Sequence, residues 1–163
     1  MKRFLLLFFF LLSLISVTKR VSADNENVTQ QFGNLILCYV IRVVDGDTIH
    51  CYLPNTIASL NHITVRLYGI DAFEIRRSKR LRRQAKQHNL SLADAQRLGQ
   101  QQKQALEAIV RTNKSFVWLK IIDKDVYGRY VAIIYNLNFK NINCLLLQQH
   151  RYINKGLDCS KKK

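Results

Sequence analysis

Three short stretches bring acids and arginines close together: VVDGDT at 43–48, VRLYGIDAFE at 65–74 and DVYGR at 125–129. Asp47, Asp71 and Glu74 offer hard carboxylate oxygens, which suit calcium or magnesium better than zinc. Arg66 and Arg129 offer planar guanidinium forks that match the geometry of a phosphate. A phosphodiester is anionic and repels an attacking hydroxide until positive groups neutralise its phosphoryl oxygens. Preorganised cations gain most as charge builds on the five-coordinate phosphorus, and that difference lowers the barrier. A carboxylate beside them, such as Glu74, can orient or deprotonate the attacking water. Taken singly the motifs say less, since Asp45 and Asp47 also read as ordinary turn residues and Arg66 with Glu74 as a structural ion pair.

Strand-like runs must hold these groups in place. LILCYVIRVV, TIHCYL and HITVRLYGI are rich in β-branched and aromatic residues and predict a three-stranded antiparallel meander from Gly33 to about Arg66. An Asp45-Gly46-Asp47 turn joins the first two runs, with Gly46 expected to supply the positive φ of a tight hairpin and Asp47 at the head of the second strand. SFVWLKIID at 115–123 and RYVAIIYNL at 129–137 predict a second hairpin, with Trp118 in the core. Between the hairpins, residues 76–90 hold seven Lys or Arg from Arg76 to Lys86 with little apolar periodicity, which predicts an exposed, mobile loop. One helix follows over about 91–114, with a capping pair in Ser91 and Asp94, Leu106, Ile109 and Val110 at helical spacing, and Gly99 as the place where it could break. NINCLLLQQHRYI predicts a closing helix capped at Asn141 or Asn143. The sum is mainly β with helices: a five-stranded OB-like barrel with a helix after strand 3 and a C-terminal helix.

The chain opens with Met1-Lys2-Arg3 and an apolar run at 4–17, then reaches Val21-Ser22-Ala23 ahead of the polar DNENVTQQ. That run is shorter than the ~20 apolar residues a spanning helix needs. Residues 1–23 are therefore expected to be a secretory signal peptide cut after Ala23, with an uncleaved anchor as the alternative. This reading gives a secreted or periplasmic protein with no membrane span after cleavage, a polar segment at 24–36, and one domain over 37–163, expected to act as a monomer. Removing the leader takes four basic residues and no acidic one, so 22 basic residues remain against 11 acidic, a net charge of +11. Such a surplus fits a polyanionic partner such as DNA or RNA, and fits an anionic membrane surface as well. Cys38, Cys51, Cys144 and Cys159 permit one or two disulfides in an exported protein, with the pairing open, and none has the spacing of a zinc site.

In their sequence and order, the three stretches resemble the signature motifs of the staphylococcal nuclease (thermonuclease) family, over roughly Leu37 to Tyr152. The resemblance implies an OB-like nuclease that uses Ca2+ and cleaves DNA, RNA or both to 3′-phosphate ends. It implies Asp47 and Asp71 as calcium carboxylates, the backbone carbonyl of Ala72 as a further ligand, and Glu74 as general base. Arg66 and Arg129 would bind the scissile phosphate, Tyr127 would line the nucleotide site, and Asp45 would play a lesser part beside the metal. The basic run falls where the family has a loop at the active-site rim, which offers Arg76, Arg77 and Lys79 as phosphate contacts.

Two features depart from the family pattern. Phe73 stands where a proline usually precedes the glutamate, so the turn loses a fixed φ. The chain reaches Lys163 without the final helix of longer members, a loss that disulfides at Cys144 or Cys159 would offset. The rival classes are a noncatalytic nucleic-acid-binding barrel and a cationic membrane-active protein. A degenerate barrel is expected to lose a metal carboxylate or an arginine, and none is lost here. No amphipathic stretch with a strong apolar face supports the second rival.

Overall fold

The β-branched runs pair as expected and close on themselves. In the computed structural model, which describes residues 34–54, 56 and 61–160, β1 is Ile36–Asp45, β2 Thr48–Tyr52 and β3 His62–Leu67. Strands β5 (Phe116–Lys124) and β6 (Tyr130–Tyr135) form the second hairpin. Strand β5 also pairs with β1, and β6 runs parallel to β3, giving the closed order β1-β2-β3-β6-β5. The interior is filled by Ile49, Val65, Leu67, Val117, Leu119, Ala132 and Ile134, all almost wholly buried. Two-residue strands, β4 (Ile70–Asp71) and β7 (Ile153–Asn154), pair beside the barrel and are too short to leave a period in the sequence. The chain from Leu35 onward packs as one unit, and the expected leader at 1–23 lies outside the described residues.

Strand β1 turns Cys38, Val40 and Val43 inward, with a register shift between Val40 and Arg42. At that bulge Ile41 and Arg42 both face out, and the alternation resumes one residue late. Trp118 is not a core residue. It lies between buried Val117 and Leu119, so the two-residue period of a strand sends it outward, half-buried and stacked on Phe139 at 6.1 Å.

The basic run is a helix, not a mobile loop. Helix α1 spans Lys79–Gln87, and the Ser78 side chain caps it by accepting the Leu81 N–H at 3.0 Å. Its buried stripe is Leu81, Gln84 and Ala85, the i, i+3, i+4 set of one helical face. One member of that stripe is polar and one is small, so hydropathy hides the period while the cations dominate the eye. Leu81, Ala85, Phe73 and Ala95 form a second, smaller core that seats α1 against the next helix.

Helix α2, Leu92–Thr112, runs unbroken through Gly99, and Ser91 and Asp94 cap it as expected. Gly99 is there for closeness. A Cβ at this position would lie 2.5 Å from the Phe73 carbonyl oxygen and 2.9 Å from that of Glu74. Gly99→Ala is therefore expected to cost about 1–3 kcal/mol of stability, because helix and turn must move apart. Urea denaturation measures this, and an unchanged midpoint would show that α2 shifts freely.

Helix α3, Ile142–Gln149, is capped by Asn141, whose side chain accepts the Cys144 N–H at 3.1 Å. Asn143 is instead wholly buried, accepting the Ile134 N–H and donating to the Tyr68 carbonyl, both at 2.9 Å. Cys38 pairs with Cys51 inside the barrel, and Cys144 pairs with Cys159, fastening the tail to α3. The bridges span 13 and 15 residues. On a chain-entropy account each restricts the unfolded chain by about 3 kcal/mol.

Candidate functional site

The turn between β1 and β2 is made tight by crowding. Gly46 does not adopt a left-handed backbone, contrary to the hairpin expectation. A Cβ there would instead meet the Cβ atoms of Ala72 at 2.7 Å and Gln102 at 2.8 Å. The glycine thus lets the hairpin end lie directly on the Asp71–Glu74 turn and on α2. Tyr152 closes this junction, its hydroxyl within 2.8 Å of both the Gly46 and Gln102 carbonyl oxygens. Burial, aided by the charge of Asp45, pushes that hydroxyl's pKa up, so it stays a donor.

Asp47, 1% exposed, points into the junction and accepts the Ala72 N–H at 2.6 Å through Oδ2. Its Oδ1 accepts the Thr48 hydroxyl at 3.0 Å and pairs with Nη1 of Arg66. The other end of the Arg66 fork, Nη2, meets Oδ1 of Asp71 at 2.6 Å. One guanidinium from β3 therefore joins two of the predicted carboxylates. Burial pulls the Arg66 pKa down, and pairing with Asp71 opposes that pull. Asp45 sits beside them, its Oδ1 accepting the Asp47 N–H at 3.1 Å, and burial raises its pKa against Thr48 and the arginines.

The turn that carries Asp71 and Glu74 is held by glutamines. Gln84 of α1 accepts the Glu74 N–H at 3.0 Å and donates to the Ala72 carbonyl at 2.8 Å. Gln102 of α2 accepts the Phe73 N–H at 2.8 Å, and Gln96 donates to the Ile75 carbonyl at 3.1 Å. Both Gln84 and Gln102 are buried, where an unmade hydrogen bond would be costly. Phe73 is buried too. The turn thus gains through its N–H and its ring the rigidity that a proline would have given through φ.

Sequence reasoning missed Gln84 and Gln102. Glutamine on a helix is ordinarily solvent-facing, and the available signal was spacing: Ala95, Gly99, Gln102, Leu106 and Val110 occupy one buried face of α2. It also missed Arg80. That side chain reaches back from α1, with Nη2 at 2.6 Å from Asp71 Oδ1 and Nη1 at 2.9 Å from Glu74 Oε1.

Asp47, Arg66, Asp71 and Glu74 thus come together. Arg129 is paired instead with Asp125 at 2.8 Å, and its charge acts on Asp45 and Arg66. Tyr127, 81% exposed at the hairpin tip, places its ring 5.4 Å from the Arg129 guanidinium carbon. Arg76 and Arg77, just ahead of the Ser78 cap, and Lys79, the first residue of α1, are exposed.

Asp47, Asp71 and the Ala72 carbonyl are hard oxygen donors within one hydrogen-bonded network, so their chemistry fits a calcium ion. Their oxygens are also engaged by Arg66, Arg80 and Gln84. Among the described residues no three His, Cys, Asp or Glu side chains converge as a metal cluster.

No described helix is long and apolar enough to cross a membrane. No curated protein matches the chain. Residues 64–150, more than half of its 163, match the family described as staphylococcal nuclease homologue, a segment containing Arg66, Asp71, Glu74 and Arg129. With the barrel and the three motifs in place, the chain belongs to the staphylococcal nuclease homologue family.

Proposed function

We propose that this protein is an exported, calcium-dependent nuclease, acting as a monomer, that hydrolyses phosphodiester bonds of DNA, RNA or both and leaves 3′-phosphate ends. The observation that carries the reading is the gathering of Asp47, Arg66, Asp71 and Glu74 at a turn fastened by Gln84 and Gln102. Asp47, Asp71 and the Ala72 carbonyl would hold the calcium, which when bound supplies positive charge against the phosphoryl oxygens.

The chain's own groups do the rest. Arg66 and Arg129 present donors to the phosphoryl oxygens and gain strength as negative charge develops there. Glu74, half-buried at the rim, orients the attacking water or takes its proton. Arg76 and Arg77, just ahead of α1, and Lys79, its first residue, contact the flanking phosphates, and Tyr127 offers an exposed ring to a base. Export is supported by the leader-like residues 1–23 and by two disulfides, which persist where thiols are kept oxidised.

Supercoiled plasmid and RNA, each incubated with calcium or with EDTA, test the reading. Cutting is expected with calcium only. Full cutting in EDTA would sink the calcium assignment, and tight binding with no cutting in either buffer would favour a noncatalytic barrel.

A further inference from the structure

We propose that Arg80 sets how tightly this site holds calcium, by competing with the ion for Asp71 and Glu74. The inference rests on the calcium reading above. Arg80 and Gln84 lie one helical turn apart on α1, and the two act on the same short segment: Gln84 fastens its backbone while Arg80 takes its carboxylates. Seated by buried Leu81 and Ala85, the helix aims Arg80 into the site. Oδ1 of Asp71 consequently carries two guanidinium groups, those of Arg66 and Arg80, each at 2.6 Å.

Arg66 is built in, because it also neutralises buried Asp47. Arg80 is different. Its side chain is 37% exposed and its two partners are both site carboxylates. A divalent ion on Asp71 and a guanidinium on the same oxygen seek the same lone pairs and repel one another. Even at the dielectric of water, a unit charge some 5 Å from a divalent ion changes its affinity by about tenfold. Arg80 thus weakens calcium binding, and when calcium takes Asp71 it frees a guanidinium at the rim for substrate phosphate.

Calcium titration by calorimetry, on the full chain without nucleic acid, tests this. Arg80→Ala is expected to bind calcium about tenfold tighter than the parent protein. Arg80→Lys, which keeps the charge, should stay within a few-fold of the parent. Arg82→Ala removes the same charge from an exposed position of the same helix and should change nothing. Unchanged or weaker binding by Arg80→Ala would overturn the proposal, as would an equal gain from Arg82→Ala. Should Arg80→Ala lose its circular-dichroism signature, Arg80→Gln is expected to show the same tightening, and its absence there would overturn the proposal equally. Absence of calcium binding in the parent and every variant would instead overturn the calcium reading, and this inference with it.

Discussion

Glu74→Gln is expected to slow calcium-supported cleavage by about 10²- to 10⁴-fold, the usual contribution of a positioned general base, while leaving the fold intact. The glutamine has the same shape but cannot accept a proton as readily. The turn does not depend on the carboxylate, because Gln84 holds the backbone N–H of residue 74. What the substitution takes from the folded state is an ion pair with half-exposed Arg80, worth about 0–1 kcal/mol. Single-turnover cleavage of a labelled duplex, beside a urea melt, separates the two quantities. Full rate in the variant would remove Glu74 from the chemistry.

Arg66→Ala is expected to lose both rate and stability. The rate should fall about 10²- to 10³-fold, as when a preorganised donor to a developing anion is removed. Stability should fall by about 3–5 kcal/mol, the cost of breaking a buried ion pair by deleting one partner. Asp47 is the reason: its side chain is 2% exposed, and without the guanidinium a buried carboxylate loses its counter-ion. Arg66→Lys divides the effects, since a lysine restores charge but not the fork that reaches Asp47 and Asp71 together. Stability should recover in part and rate should not. An Arg66→Ala protein with unchanged melting temperature and rate would end the assignment of Arg66 to the phosphate.

The barrel was legible because its five strands are β-branched runs with clear turns between them, and the acids and arginines announced themselves by type and order. What sequence did not reveal is how the site is held. Gln84 and Gln102 act through hydrogen bonds between a side-chain amide and a distant backbone, and such pairs leave no periodicity to read. Helix α1 was hidden for a related reason, since its buried face contains a glutamine and its exposed positions carry the charge. Gly46 was assigned the wrong cause. Its place in an Asp-Gly turn suggested backbone freedom, whereas contact with Ala72 and Gln102, residues far along the chain, is what excludes a side chain.

Phe73 shows the same limit from another side. Proline has no N–H, so a chain with proline there could not make the bond to Gln102 that this one makes. Fixing the turn by φ and fixing it through Gln102 are alternatives at this position. Residue 73 alone therefore says little about how firmly Glu74 is placed.

The pairing of β3 with β6 reaches beyond architecture. It is a parallel ladder, matching Val65 with Tyr130 and Arg66 with Val131, and it sets the start of β6, next to Arg129, against β3, where the Arg129 charge acts on Arg66. Each antiparallel hairpin can zip from its own turn, but this ladder, like that of β1 with β5, must join segments from either side of the helical insertion, and such distant closures cost more loop entropy. Until that seam forms, a chain with every hairpin in place would own both arginines and no clamp. On the proposed nuclease reading, competence to cut would then wait on that closure, so a partly opened molecule would leave nearby nucleic acid untouched.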